Sequence, residues 1–246
     1  MRNIKIIIQY DGSRYLGWQK QALGATIQEV LEETVEKIIR EPVSLIGSGR
    51  TDAGVHAFMQ VANFKTTSSM SVGELHRAIN SLLPNDIVVT LAGEAEESFH
   101  ARYDALSKEY QYRIYNGALR SPFSNKYYWH IYTPLDSDAM SRGAAFLVGR
   151  HDFSAFQSTG SDTKTSLRTI TKSEISREGD MIIFEIEGNG FLRHMVRSIV
   201  GTLVDVGRGK LAPEEIQSIL ESLDRSRAGA TAPAEGLFLK DVRYSR

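Results

Sequence analysis

The chain contains no cysteine. This excludes a disulfide framework, thiolate catalysis and cysteine-held zinc. Long apolar runs are also missing. Ile6-Ile7-Ile8 is typical, far short of the roughly 20 residues that cross a bilayer as a helix. The N-terminus, Met1-Arg2-Asn3-Ile4-Lys5, passes directly into a strand pattern, with neither the apolar stretch nor the cleavage site of a signal peptide. A cytoplasmic protein is the expectation. No charge of one sign dominates: the net charge is −1, so binding of a polyanion has to use a local basic surface. The sequence lacks G-x-x-x-x-G-K-[ST], G-x-G-x-x-G and G-x-S-x-G, the loops that cradle nucleotides or present a serine nucleophile. Its histidines show no H-E-x-x-H spacing. Neither a metal nor a nucleotide cofactor is expected.

What is present suffices for a folded core. The chain has 246 residues, of which 41% are hydrophobic and 24% charged. Asn3–Tyr10 reads as a strand. Thr26–Arg40 reads as an amphipathic helix, with Ile27, Val30, Leu31, Val35 and Ile38 on one stripe, a capping box at Thr26 and Glu29, and a stop at Pro42. Val43–Ile46 and Phe58–Phe64 read as strands, Ser71–Leu82 as a helix and Asp86–Ala95 as a strand. The second half repeats the order: strand at Ser107–Asn116, helix at Ser137–Val148, strands at Thr169–Arg177 and Met181–Gly188, helices at Gly190–Val206 and Pro213–Leu223, and a last strand at Leu237–Tyr244. Polar loops are expected at Asp11–Gly24, Gly117–Tyr128 and Gln157–Ser166. Each half therefore reads βαββαβ, the split-βαβ pattern. The expected fold is α+β: two ferredoxin-like, RRM-like halves (1–104 and 105–246) whose antiparallel sheets form a central extended sheet and an active-site cleft. That architecture hosts many unrelated functions.

The chemistry concentrates at Gly47-Ser48-Gly49-Arg50-Thr51-Asp52-Ala53-Gly54-Val55-His56. Glycines let the backbone turn sharply and let a ligand approach, and flanking strands hold the corner. Asp52 is the candidate carboxylate, with Arg50 two residues away. A turn aspartate that bonds only its own loop is the competing reading.

This corner resembles the signature of the bacterial tRNA pseudouridine synthases of the A type. Other segments agree in order and spacing: Tyr10-Asp11-Gly12 followed by Gly17-Trp18-Gln19 and Gln21; Thr26-Ile27-Gln28; Phe99-His100-Ala101-Arg102 followed by Lys108-Glu109-Tyr110-Gln111-Tyr112; Gly190-Phe191-Leu192-Arg193-His194-Met195-Val196-Arg197; and Ala234-Glu235-Gly236-Leu237. The resemblance implies a cofactor-free isomerase that converts uridine to pseudouridine in the anticodon stem–loop of tRNA, at tRNA positions 38, 39 and 40. It also implies a homodimer with the catalytic aspartate in a basic cleft.

The resemblance further assigns roles. Asp52 is the nucleophile or base, with Arg197 as its partner. Tyr110 stacks on the target uracil, and Leu237 packs against the base's other side. Arg50 fills the gap left by the flipped nucleotide. Arg14, Lys20, Arg102, Arg120, Lys126 and Arg168 are candidates for RNA phosphates. On pattern alone, Tyr110 could equally be a core aromatic in register with Tyr112, and Arg197 an exposed helix arginine. Two other functions stay open: a non-catalytic RRM-like RNA-binding module and a metal-dependent carboxylate hydrolase.

Overall fold

The structure, a computed structural model, describes residues 1–122, 125–160 and 165–245. The expected loops at 117–128 and 157–166 fall partly outside that set. The chain divides into two compact units, Met1–Leu106 with Phe238–Arg246 and Ser107–Leu237.

The N-terminal unit opens with β1 (Arg2–Tyr10), followed by a single 3-10 turn at Gly12–Arg14 and by α1 (Ile27–Ile39). Thr26 caps α1 by accepting from the Glu29 amide at 3.3 Å. Arg40 ends it in the left-handed region at φ 58°, its amide donating to the Glu36 carbonyl. β2 is only Ile46–Gly47. The expected strand over Val43–Ile46 does not form, because carboxylates of α1 take its amides: Val43 donates to Glu36 and Leu45 to Glu32. β3 (His56–Thr66), α2 (Val72–Leu82) and β4 (Ile87–Ala95) follow. At α2, Ser71 and Glu74 complete a capping box.

The sheet order is β4-β1-β3-β2, with antiparallel neighbours throughout. That is the ferredoxin-like arrangement read from the sequence. Ile4, Ile6 and Ile8 alternate into the core opposite Phe64, Ala62 and Gln60. Between Ile8 and Tyr10 the register slips by a bulge, and Tyr10 comes to stand opposite Ala57. The extra residue lies on β3, where the three steps from Ala57 to Gln60 face two on β1, so β1 keeps its alternation through Tyr10.

The C-terminal unit contains β5 (Ala105–Tyr115), β6 (Trp129–His130), α3 (Ser137–Ala145), β7 (Gly149–Asp152), β8 (Leu167–Glu178), β9 (Met181–Gly188), α4 (Met195–Gly207) and α5 (Glu215–Ser222). β5, β9, β8 and β7 lie side by side and antiparallel, so the split-βαβ order carries one additional edge strand, β7. α3 packs on β8 and α4.

The sequence reading starts the α4 helix at Gly190. The structure starts it five residues later, because His194 sits in the left-handed region at φ 59° and interrupts the helical path. β10 (Leu237–Tyr244) has the expected bounds. From Phe238 onward it groups with the N-terminal unit, Phe238 and Leu239 pairing in parallel with His56 and Ala57.

Candidate active site

In the N-terminal unit the corner spans residues 48–55, between β2 and β3. It is held from beneath and from one side. From beneath, the Ser48 amide donates to the Val61 carbonyl at 2.7 Å and its hydroxyl to Gln60 Oε1 at 2.6 Å. Gln60 Nε2 returns a bond to the Gly49 carbonyl at 2.8 Å. The hydroxyls of Thr51 and Tyr10 lie 2.8 Å apart.

From the side, the loop after β1 lies backbone against backbone. The Trp18 amide donates to the Thr51 carbonyl at 3.0 Å, and the Gly54 amide donates to the Tyr15 carbonyl at 3.3 Å. Gly17, at φ +93°, touches the corner so closely that a Cβ there would lie 2.5 Å from the Thr51 oxygen. A Cβ on Gly12 would lie 2.0 Å from the Val55 oxygen. Both positions require glycine. The buried His56 ring accepts the Gly12 amide on Nδ1 at 3.1 Å and stacks on Phe238.

Exposure alternates along the corner. Thr51 is buried, Asp52 half-buried and Arg50 exposed. Asp52 is further fixed by its own backbone, whose carbonyl accepts the Val55 amide at 3.2 Å. A carboxylate on so constrained a backbone can act as a nucleophile or base with little reorganisation.

In the C-terminal unit, Tyr110 stands on β5 with 7% of its surface exposed, its ring edge-on to Phe191 at 5.0 Å. Tyr112, two residues on, is wholly buried, and its hydroxyl donates to the Pro233 carbonyl at 2.8 Å. Burial pushes that phenol up, as does Glu235, while Arg197 pulls it down. Arg197 lies in the first turn of α4 and is half-buried. Its Nε donates to the Ala232 carbonyl at 2.7 Å, and the Ala232 amide donates back to the Arg197 carbonyl at 3.0 Å. The exposed-helix reading of Arg197 therefore does not hold.

The irregular segment around Ala230, ahead of the 3-10 turn at Ala234–Gly236, rides directly on α4. A Cβ on Gly201 would meet the Ala230 oxygen at 1.7 Å. Leu237, first residue of β10, is 5% exposed. The start of α4 is pinned by His194, whose Nδ1 lies 2.9 Å from the Ser158 hydroxyl, and by Arg193, which donates to the Thr159 carbonyl. A non-glycine residue in the left-handed region costs free energy that the surrounding bonds must offset.

The basic candidates are distributed over both units. Arg14 is exposed and 3.4 Å from Asp86, and Lys20 is exposed and 3.8 Å from Glu32. Arg102 is exposed beside the Tyr103 ring. Arg120 and Lys126 are exposed as well. Arg168 is half-buried, donates to the carbonyls of Thr165 and Leu167, and has its guanidinium value lowered by burial. Arg50 and Asp52, with Arg14, Lys20 and Arg102, belong to the N-terminal unit. Tyr110, Arg197 and Leu237, with Arg120, Lys126 and Arg168, belong to the C-terminal one.

Sequence reasoning gave no role to Tyr10, Gln60 or Thr51, nor to Ser158 and Ala232 beside α4. Tyr10 ends an alternating apolar strand and Gln60 interrupts one. Those two polar residues on a core-facing period were the available signal.

With this geometry established, comparison with known proteins is informative. The family model described as tRNA pseudouridine synthase matches residues 6–104 and 144–245. A protein of Acetivibrio thermocellus named tRNA pseudouridine synthase A is 50% identical over 244 residues, covering 99% of this chain and 100% of that protein. One of the same name from Thermoanaerobacter sp. is 49% identical with the same coverage. A Clostridium perfringens protein named tRNA pseudouridine synthase A 2 is 47% identical, again over 99% of this chain and all of that protein.

Proposed function

The chain belongs to the tRNA pseudouridine synthase family, and we propose that it isomerises uridine to pseudouridine in the anticodon stem–loop of tRNA. The observation that carries the reading is the Arg50–Asp52 corner. Two glycine backbones and a set of buried hydrogen bonds fix it, within a chain whose residues 6–104 and 144–245 match the family model. The family match favours neither an RNA-binding module nor a metal-dependent hydrolase.

The reaction breaks the bond from C1′ of the ribose to N1 of uracil and makes one from C1′ to C5. The C5 proton leaves and N1 gains one, so composition and oxidation state are unchanged. The roles proposed here accordingly involve no cofactor and no metal. Asp52 supplies the carboxylate. Three routes are open to it: attack on the base, attack on the sugar, or removal of the 2′ proton to give a glycal. All three need an ionised carboxylate, and a guanidinium partner favours that form. Arg197 is the proposed partner, oriented by its bond to Ala232.

Tyr110 stacks on the uracil, an interaction that tolerates a base turning in its plane. Leu237 packs on the base's other side. Arg50, exposed beside Asp52, takes the place of the extruded nucleotide, whose extrusion costs a few kcal/mol. Residues 1–104 would carry the catalytic loop and 105–246 complete the site. The enzyme would act in the cytoplasm as a homodimer. Among the described residues no helix is long and apolar enough to cross a membrane.

The test is release of tritium from tRNA labelled at C5 of uridine, since bond formation at C5 expels that hydrogen. Release that persists in excess EDTA is expected. A folded, tRNA-binding preparation that released none would overturn the proposal, and chelator-sensitive cleavage of the tRNA in its place would favour the hydrolase.

A further inference from the structure

The polar side chains beneath the corner are costly where they stand. Tyr10 is 3% exposed, Ser48 and Gln60 0%, and Thr51 7%. Tyr10 continues the inward face of Ile4, Ile6 and Ile8, and Gln60 pairs in register with Ile8. Apolar residues would satisfy that face with no polar group to compensate. Buried polar groups stabilise a fold only when each finds its partner, and a partly satisfied set is worse than an apolar core.

Here the bonds all lead to one place. Tyr10 reaches Thr51, Gln60 reaches Gly49, and Ser48 reaches Gln60. Thr51 is held twice, by its hydroxyl from below and by its carbonyl from Trp18. Its two neighbours are the exposed Arg50 and the half-buried Asp52. Anchoring the middle residue of three fixes the backbone on either side.

We propose that Tyr10, Ser48, Gln60 and Thr51 act as a buried hydrogen-bonded plate of positioning residues that sets the placement of Asp52 and Arg50 for the isomerisation. The proposal rests on the catalytic reading of Asp52 given above. The four act through the backbone of the corner. A misplacement of about 1 Å at a reacting group can cost on the order of a hundredfold in rate. The phenol of Tyr10 is pushed upward by burial, so it stays protonated and remains available as a bonding partner across the working range.

The experiment measures tritium release from tRNA, tRNA affinity and melting temperature on Tyr10→Phe, Thr51→Val, Thr51→Ser and the double variant Tyr10→Phe/Thr51→Val. Tyr10→Phe and Thr51→Val are expected to lower kcat about tenfold or more while KM and tRNA affinity stay within about twofold. Thr51→Ser, which keeps the hydroxyl, should recover most of the rate lost in Thr51→Val. The double variant should be little worse than either single one, because both remove the same bond.

A kcat within about twofold of wild type in both single variants would overturn the proposal. So would a double variant equal to the product of the singles, or a rate loss that vanishes once activity is normalised to the folded fraction. Should Thr51→Val fail to fold, Tyr10→Phe decides alone, since it keeps the ring and removes one oxygen. Wild-type protein that releases no tritium would overturn this proposal together with the proposed function. A normal wild type with unaffected variants would overturn only the plate.

Discussion

Asp52 and Tyr110 meet their surroundings in opposite ways, and the difference sets what substitution should do to each. Asp52 is half-buried on a corner whose shape is held by other groups. Asp52→Asn keeps the volume and removes the charge. Turnover should become undetectable, tRNA binding should persist or tighten slightly as a negative charge leaves, and the melting temperature should hold. The measurement is all three on one preparation. Residual turnover above about one per cent of wild type in folded, tRNA-binding protein would remove Asp52 from the catalytic role.

Tyr110 is nearly enclosed and edge-on to Phe191. Tyr110→Phe keeps that plane. If stacking is the whole role, its rate should stay near wild type. If the hydroxyl also moves a proton at C5, turnover should fall by roughly 10²–10⁴ with binding intact. Tyr110→Ala should weaken both, and wild-type behaviour there would mean that the ring is only core. The corner that carries Asp52 was legible in the sequence because glycines crowd it. The residues that orient it were not. Tyr10 and Gln60 fall on a core-facing period, where pattern alone reads side chains as packing.

Elements closed by local bonds were readable, and elements decided at a distance were not. α1 and α2 carry their caps within a few residues, at Thr26 with Glu29 and at Ser71 with Glu74, and both form within a residue of the expected bounds. β7 was missed because Gly149–Asp152 offers no apolar alternation and exists only through pairing with β8. Val43–Leu45 reads as strand, yet its amides go to Glu32 and Glu36 of the preceding helix. The start of α4 depends on His194, whose left-handed backbone no periodicity announces.

One tie between elements makes a pH prediction. Glu41, just past α1, accepts from Thr66 and Thr67 at the end of β3, and the hydroxyl of Thr66 first, then that of Thr67, holds its carboxyl below the usual 4.5. A lowered folded value means stability that is full above the ordinary carboxylate range and lost as pH falls through the folded one. Glu41→Gln should therefore melt slightly below wild type at neutral pH, and the gap should close in acid. Calorimetry across that range checks it. A gap constant with pH would mean that the carboxylate charge is not what ties these elements.

For the whole molecule the puzzle is a chain of net charge −1 acting on a polyanion. Two consequences can be measured. A tRNA is comparable in mass to a chain of 27.4 kDa, and the proposed homodimer gives it a second subunit to rest on. Light scattering should return about twice the chain mass, and a fully active monomer would refute the dimer. The second consequence concerns salt. With no net positive charge, affinity must come from a limited set of cations, and the candidates differ in readiness. Arg120 and Arg102 are exposed, and Lys126 is exposed too but already engaged by another group. Arg14 and Lys20 are exposed but lie near Asp86 and Glu32 at 3.4 and 3.8 Å, so a phosphate would compete with those carboxylates. Arg168 is half-buried and bonded to its own loop, which leaves it the least available of the six. Each phosphate neutralised releases counterions, so log K for tRNA should fall linearly with log salt, by about 0.9 per contact in a duplex stem and about 0.7 in a single strand. Arg120→Ala and Arg102→Ala should each make the slope shallower by about one contact without changing kcat. Arg168→Ala should leave the slope nearly unchanged. The reverse order, with Arg168 carrying the slope and Arg120 and Arg102 indifferent, would move the binding surface from the exposed cations to the loop before β8. A flat dependence between low and physiological salt would mean that basic side chains do not hold the tRNA at all.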